Sequence, residues 1–448
     1  MSSRAEIDFG RYRQILRQCQ SIRSEGSVVQ VIGLTIEAAG IKPRIGELCY
    51  VRPGSRSLRI PAEVVGFRED RTLLMPLGDM QGIQVGSSVL TTGGTFQVPV
   101  GRELLGRVLD GLGRPLDDRG PVTTSQWYPA ANSAPHPLER TPIREPLVTG
   151  VRAIDGLLTV GKGQRIGIFS GSGVGKSTLL GAIARNSWTD VSVVALIGER
   201  GREVQGFIDR DLGPEGMKRS VVVASTSDQP ALVRLRGAWV ATAIAEYFRD
   251  QGLDVTLMMD SVTRFAMAQR EIGLAIGEPP ARKGYTPSVF ALLPKLLERA
   301  GTSNKGTITG FYTVLVEGDD FNEPISDATR SILDGHIMLT RELAAENHYP
   351  AIDVLQSVSR LMPFITDQEH VERAGFVKEM LAVYAKARDL INIGAYQHGS
   401  SAEIDRAIAI MPKLLEFLRQ DSSAHEYGRT TEWLRRLCAD DAGQDAQQ

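Results

Sequence analysis

Residues 169–178 read FSGSGVGKST. A turn of this kind can aim backbone N–H groups at phosphate oxygens, because Gly171, Gly173 and Gly175 carry no side chain to block the approach. Lys176 then stands where an ammonium pairs with β- and γ-phosphates, and Ser177 offers a hydroxyl to Mg²⁺. Gly171, Ser172, Gly173, Val174, Gly175, Lys176, Ser177 and Thr178 are therefore the candidate nucleotide contacts. The strict pattern begins with glycine, and Ser170 takes that place. At the loop entry, directly after a strand, a small residue suffices if its φ is negative.

A phosphate cradle alone does not hydrolyse anything. The run VTLMMD puts Asp260 at the end of an apolar strand, where it can hold the Mg²⁺ shell, although an aspartate there can equally cap the following helix. GERGREV puts Glu199 and Arg200 at the end of the next strand after the loop helix. Ligands of open α/β sheets sit at strand carboxyl ends, so Glu199 is placed to orient an attacking water. Arg360, ending SVSR, lies well past these strands, and nothing local marks it as more than a surface arginine.

The elements that must position these residues follow from pattern. QRIGIF, SVVALIG, SVVVAS, VTLMMD and TITGFYTVLV are buried-strand candidates alternating with helices near 230–250, 261–270 and 287–300. Such alternation implies a mostly parallel sheet covered on both faces. Before it, short glycine-punctuated runs over 26–100 predict a small β-barrel. Residues 101–146 read as a turn-rich, proline-stiffened connector to the α/β core, the two spanning 101–365. Helical periodicity alone remains over 366–438, predicting a third, α-helical domain, and 439–448 read as a disordered tail. Residues 1–25 carry an amphipathic helix, with Tyr12, Ile15, Leu16, Cys19 and Ile22 at helical spacing, fit either to pack on its own domain or to dock a partner.

Composition removes other classes. With 448 residues, 42% hydrophobic, 23% charged and a net charge of −2, the chain has no general attraction for nucleic acid or anionic lipid. The barrel region lacks the aromatics and basic runs that bind oligonucleotides. Cys19, Cys49 and Cys438 are too dispersed for a disulfide framework or zinc site. The polar start and the lack of a long apolar run predict a cytoplasmic protein whose membrane contact is peripheral or through partners.

With these residues in view, the chain resembles the rotary-ATPase catalytic-subunit superfamily, and within it the flagellar protein-export ATPases. The likeness runs from about Gly26 to about Gln420, through GRVLDGLGRPLD, TGVRAIDGLLTVGKGQRIGIFSGSGVGKS, ALIGERGREV, LMMDSVTRFAMAQREIGLAIGEPP, EGDDFNEPISDATRSILDGHIML and HYPAIDVLQSVSR. Serine at the first loop position is usual in that subfamily. The resemblance implies an ATP- and Mg²⁺-dependent homohexamer with a RecA-like core and sites at subunit interfaces. It implies that Glu199 is the catalytic carboxylate and Asp260 the Walker-B acid. Arg200 would meet the γ-phosphate, Tyr349 would stack on adenine, and Arg360 would be the arginine finger reaching the neighbouring site. It further implies a regulatory dimer at the N-terminal helix, a central stalk-like coupling protein, a membrane export gate, and export substrates with their chaperones, all at the cytoplasmic face of the inner membrane.

Other functions stay open at this point. A virulence-injectisome ATPase shares almost every motif, with LINIGAYQHGS and IDRAI leaning to the flagellar branch. An ATP synthase catalytic subunit is disfavoured by the short C-terminal region, and an RNA-dependent hexameric motor by the barrel's composition.

Overall fold

The computed structural model describes residues 24–54, 58–316 and 323–445, with side chains described as far as residue 439, so the amphipathic helix expected at 1–25 lies almost wholly outside it. The chain forms two compact units, one up to Phe96 together with Leu274–Glu278, the other Gln97–Gly273 with everything from Pro279 onward.

In the first unit, strands Glu25–Ile32, Thr35–Ala39, Glu47–Arg52, Ile60–Arg68, Arg71–Pro76 and Ser88–Thr95 close into a barrel. Residues of Glu47–Arg52 alternate between buried and half-buried, the period-two signature of a strand with one face inside. Ile36, Cys49, Val51, Val64, Leu74 and Val89 fill the interior. Burial, with Glu47 nearby, pushes the Cys49 thiol up to about 12, so it packs as a small apolar group and not as a nucleophile.

The second unit is built on a sheet whose strands run in the order Ile352–Ser359, Gly335–Leu339, Arg165–Ser170, Thr307–Leu315, Asp254–Asp260, Val191–Ile197, Ser220–Ser225 and Val108–Asp110. Neighbours are parallel throughout, except that Ile352–Ser359 runs antiparallel at one edge. Every residue of Val191–Ile197 is buried, as expected for a strand covered on both faces. Helix Ala231–Asp250 is covered along nearly its whole length.

Two expectations need correcting. The stretch 101–146 is more than an extended connector, because Val108–Asp110 joins the sheet edge beside Ser220–Ser225. It is further pinned by the fully buried Arg299–Glu246 pair (2.7 Å), whose arginine also donates to the Ala130 carbonyl at 2.6 Å. The helical region expected from 366 is present as helices Gln368–Asn392, Ala402–Leu418 and Tyr427–Asp445, and it packs on the core of the sheet. Val377, Leu414, Phe417 and Leu437 share one apolar cluster with Ile154, Leu157 and the sheet, since short helix Arg152–Leu157 is buried all round and needs a cover. The second correction is that the last helix runs through 439–445, where a disordered tail was expected.

Candidate nucleotide site

The strand Arg165–Ser170 lies between two parallel neighbours, so its carboxyl end opens onto the crevice where α/β sheets bind ligands. Ser170 is fully buried in the ladder, pairs with Leu315 and Leu339, and has no positive φ. The condition for a non-glycine entry residue is met. Gly173 and Gly175 take φ of 80° and 87°, the left-handed region where a side chain is strained, and Gly175 immediately precedes helix Lys176–Asn186. A Cβ on Gly171 would stand 2.8 Å from Arg341 Nε, so this glycine lets a guanidinium lie against the loop.

Three charged side chains converge behind the loop. Lys176 Nζ is 2.5 Å from Asp260 Oδ1 and 3.9 Å from Glu199 Oε1. Thr313, on the neighbouring strand, donates its hydroxyl to the same Asp260 oxygen at 2.7 Å. The side chains are 4% (Asp260) and 13% (Glu199) exposed. Burial and then the adjacent Asp260 charge push Glu199 up to about 7, while Lys176 pulls the other way. The cavity in front of them, ≈ 520 Å³, is lined by the loop, Ser177, Thr178, Glu199 and Arg200. Arg200 is mostly exposed and faces Glu203 at 3.6 Å.

Two residues at this site escape a reading of motifs. Thr313 sits in a buried apolar run where a threonine reads as ordinary strand. Arg264 lines the same cavity, packs its stem over Gly198 (φ 70°) and keeps a buried Nε with no protein partner. Its position in the first turn of helix Val262–Ala275, which directly follows the Asp260 strand end, is the available signal.

Tyr349 belongs to an adjoining recess. Its ring lies 3.4 Å from where a Gly175 Cβ would stand, and the residue is 42% exposed, so it is not a core tyrosine. With Val151, Leu179, Ala182 and Pro350 it forms an apolar cavity of ≈ 340 Å³, closed on one side by Gln420–Ser422.

Arg360 is elsewhere. Ile166 pairs with Gly335, and Gly335 with Ser359. Arg360 is thus level with the start of the phosphate-loop strand, whereas the loop leaves its far end. At 3.3 Å per residue the separation along the strand is about 17 Å. Arg360 is exposed and makes no ion pair among the described residues. One chain brings together Lys176, Ser177, Glu199, Asp260 and Tyr349, but not Arg360.

A phosphate loop on a parallel sheet, with acids at two neighbouring strand ends, a barrel before and helices after, defines a nucleotide-dependent ATPase. The chain belongs to the ATP synthase alpha/beta family: residues 150–359 match its nucleotide-binding domain and 28–93 its beta-barrel domain, while 366–437 match the T3SS EscN ATPase C-terminal domain. It is 56% identical over 412 residues to the flagellum-specific ATP synthase of Bacillus subtilis, covering 90% of this chain and 93% of that protein. It is 51% identical over 419 residues to the type 3 secretion system ATPase of Xanthomonas euvesicatoria, covering 93% and 95%. The assembled ATPase EscN of the enteropathogenic E. coli type III secretion system superposes with a TM-score of 0.87 at 47% identity, over 92% of this chain and 99% of that one. EscN in complex with its central stalk EscO gives 0.85 at 46%, with the same coverage.

Proposed function

We propose that this chain is the ATP-hydrolysing motor of a flagellar protein-export apparatus, acting as a ring of identical copies. The observation that carries the reading is the Lys176–Asp260–Glu199 cluster at the mouth of the phosphate loop. Mg²⁺ keeps one or two protein ligands besides water and substrate phosphates, and Ser177 with Asp260 is a donor set of that kind, held ready by Thr313. Bound there, the ion would neutralise charge on the β- and γ-phosphate oxygens. The loop N–H groups and Lys176 grip the triphosphate, Lys176 exchanging Asp260 for phosphate. Glu199 orients the attacking water and accepts its proton, a task suited to a carboxyl whose proton affinity is near neutrality. Arg200 faces the γ-phosphate end, and Tyr349 stacks on the base. Arg360, at the wrong end of its own sheet, completes the site of the next copy.

Three relatives called flagellum-specific, at 53–56% identity, stand above two secretion-system ATPases at 50–51% and support the flagellar branch, while three further flagellum-specific relatives range from 46% to 50%. The EscN-type C-terminal match and the EscN structures favour an injectisome as the second reading. The likeness to EscN with its stalk supports a central coupling protein. Export substrates, chaperones, a membrane export gate and a regulatory dimer at the N-terminal helix complete the proposed partners, at the cytoplasmic face of the inner membrane. Among the described residues no helix is long and apolar enough to cross a membrane, in keeping with peripheral attachment. A deletion strain tests the assignment: loss of motility and flagellin export, restored by the natural gene but not by Lys176→Ala, supports it. Intact motility with loss of effector secretion moves the protein to the injectisome branch.

A further inference from the structure

Gln420 lies where three segments distant in sequence meet. Its backbone N–H donates to the Tyr349 carbonyl at 2.8 Å. Its side-chain Oε1 accepts the backbone N–H of Arg152 at 2.8 Å, and Nε2 donates to the carbonyls of Gly150 (2.8 Å) and Ser423 (2.7 Å). The amide is thus committed to main chain on all sides. The segments it ties, around Val151, Tyr349–Pro350 and Gln420–Ser422, are walls of the recess beside the phosphate loop.

The other walls are fixed independently. Buried Asp155 takes the N–H and hydroxyl of Thr149 (2.9 and 2.6 Å) and the N–H of Gly150 (2.9 Å), which locks the turn that Gln420 reads. Leu179 and Ala182 belong to the loop helix itself. From that helix, Arg185 donates to the Ser422 carbonyl at 3.2 Å. Beyond the turn, the Arg152 guanidinium, 6% exposed, serves carbonyls where helix Ala402–Leu418 ends: Phe417 at 2.9 Å, Glu416 at 3.2 Å, and Arg419. A cation there also meets the negative end of the helix dipole. It lies 4.6 Å over the Trp433 ring and reaches His425 Nε2 at 2.9 Å.

We propose that Gln420 is a positioning residue for the nucleotide base, holding the Tyr349 main chain and the Asp421–Ser422 wall at the spacing a planar ring requires, with Arg152 anchoring that wall to the C-terminal helices. The inference rests on the reading of the Tyr349 recess as the base site. None of Gln420's hydrogen bonds goes to the loop residues that grip phosphate, so its loss separates base from phosphate recognition.

The test uses the full chain at a concentration where specific activity has reached its plateau. Gln420→Ala removes three side-chain hydrogen bonds to main chain and keeps the backbone N–H on the Tyr349 carbonyl, so KM for ATP rises about tenfold while kcat stays within about twofold. Competitive inhibition by inorganic tripolyphosphate, which has no base, stays unchanged. Gln420→Glu keeps the acceptor for Arg152 and loses the donors, so its KM falls between the two; it is read alone if Gln420→Ala does not fold. Parallel losses in ATP and tripolyphosphate recognition, or no change in KM, overturn the proposal. Tyr349→Ala separates the two levels. If it leaves KM for ATP unchanged, the base-site reading itself fails; if it raises KM and Gln420→Ala does not, only the role of Gln420 falls.

Discussion

Lys176 Nζ and Thr313 Oγ1 meet on one oxygen of Asp260, at 2.5 and 2.7 Å. A nearly buried carboxylate is thereby paired, hydrogen-bonded and aimed at the loop, as burial of such a group requires.

Removing either donor has a distinct expected result. Lys176→Ala lowers ATP turnover by about 100-fold or more, the scale set by losing a donor aimed at developing charge. Thr313→Val leaves the fold and the lysine in place but lets Asp260 turn. Half-saturation by Mg²⁺ then rises about tenfold, as for other losses of a residue that orients a ligand. A Mg²⁺ titration of ATPase activity checks it, and an unchanged midpoint removes Thr313 from the site.

Arg360 and Lys176 stand at opposite ends of one sheet, which predicts complementation. Arg360→Ala should bind ATP with near-normal affinity while kcat drops about 10³-fold or more. Mixing inactive Arg360→Ala with inactive Lys176→Ala should restore part of the turnover, because some interfaces then join an intact loop to an intact arginine. No recovery at any mixing ratio would count against a shared site.

A shared site also makes activity depend on assembly. Specific ATPase activity should climb with protein concentration and level off as rings fill, by mass action. A flat profile down to nanomolar protein would mean that each chain is self-sufficient.

The acid limb of kcat/KM should report Glu199. Its carboxyl is raised from 4.5 to about 7, so the carboxylate needed to accept a proton forms only as pH climbs through 7. Activity should drop roughly tenfold per pH unit below that point. The same shift has a stability consequence of fixed sign. A raised pKa means the folded state holds the proton more tightly, so the group's contribution is present below about 4.5 and lost as pH rises through 7. Glu199→Gln cannot ionise, and it should therefore raise Tm at pH 8 but not at pH 4, while abolishing turnover.

Much of the site was legible in the chain itself. The glycines of 171–175 announce a cradle because only a bare backbone can approach phosphate, and Asp260 and Glu199 follow from the rule that strand ends face the crevice. Ser170 was legible too, since a buried strand residue with negative φ needs no glycine. Thr313 was not, because its role depends on which strand lies beside Asp260, and pairing across 53 residues leaves no local trace. Gln420 is the same case at longer range, for its four hydrogen-bond partners lie up to 270 residues away. The helical region from 366 onward was legible in its periodicity, but its sharing of one core with Arg152–Leu157 and the sheet was not, because periodicity shows that helices have an apolar face, not what covers it.

What the amino-acid order determined alone was therefore the chemistry each short segment can do, since spacing, glycine and local charge act within a turn or two. The tertiary structure decided which segments share an oxygen, a cavity wall or a core. It also put Arg360 about 17 Å along the strand from its own loop, because an antiparallel edge strand returns the chain to the opposite end of the sheet.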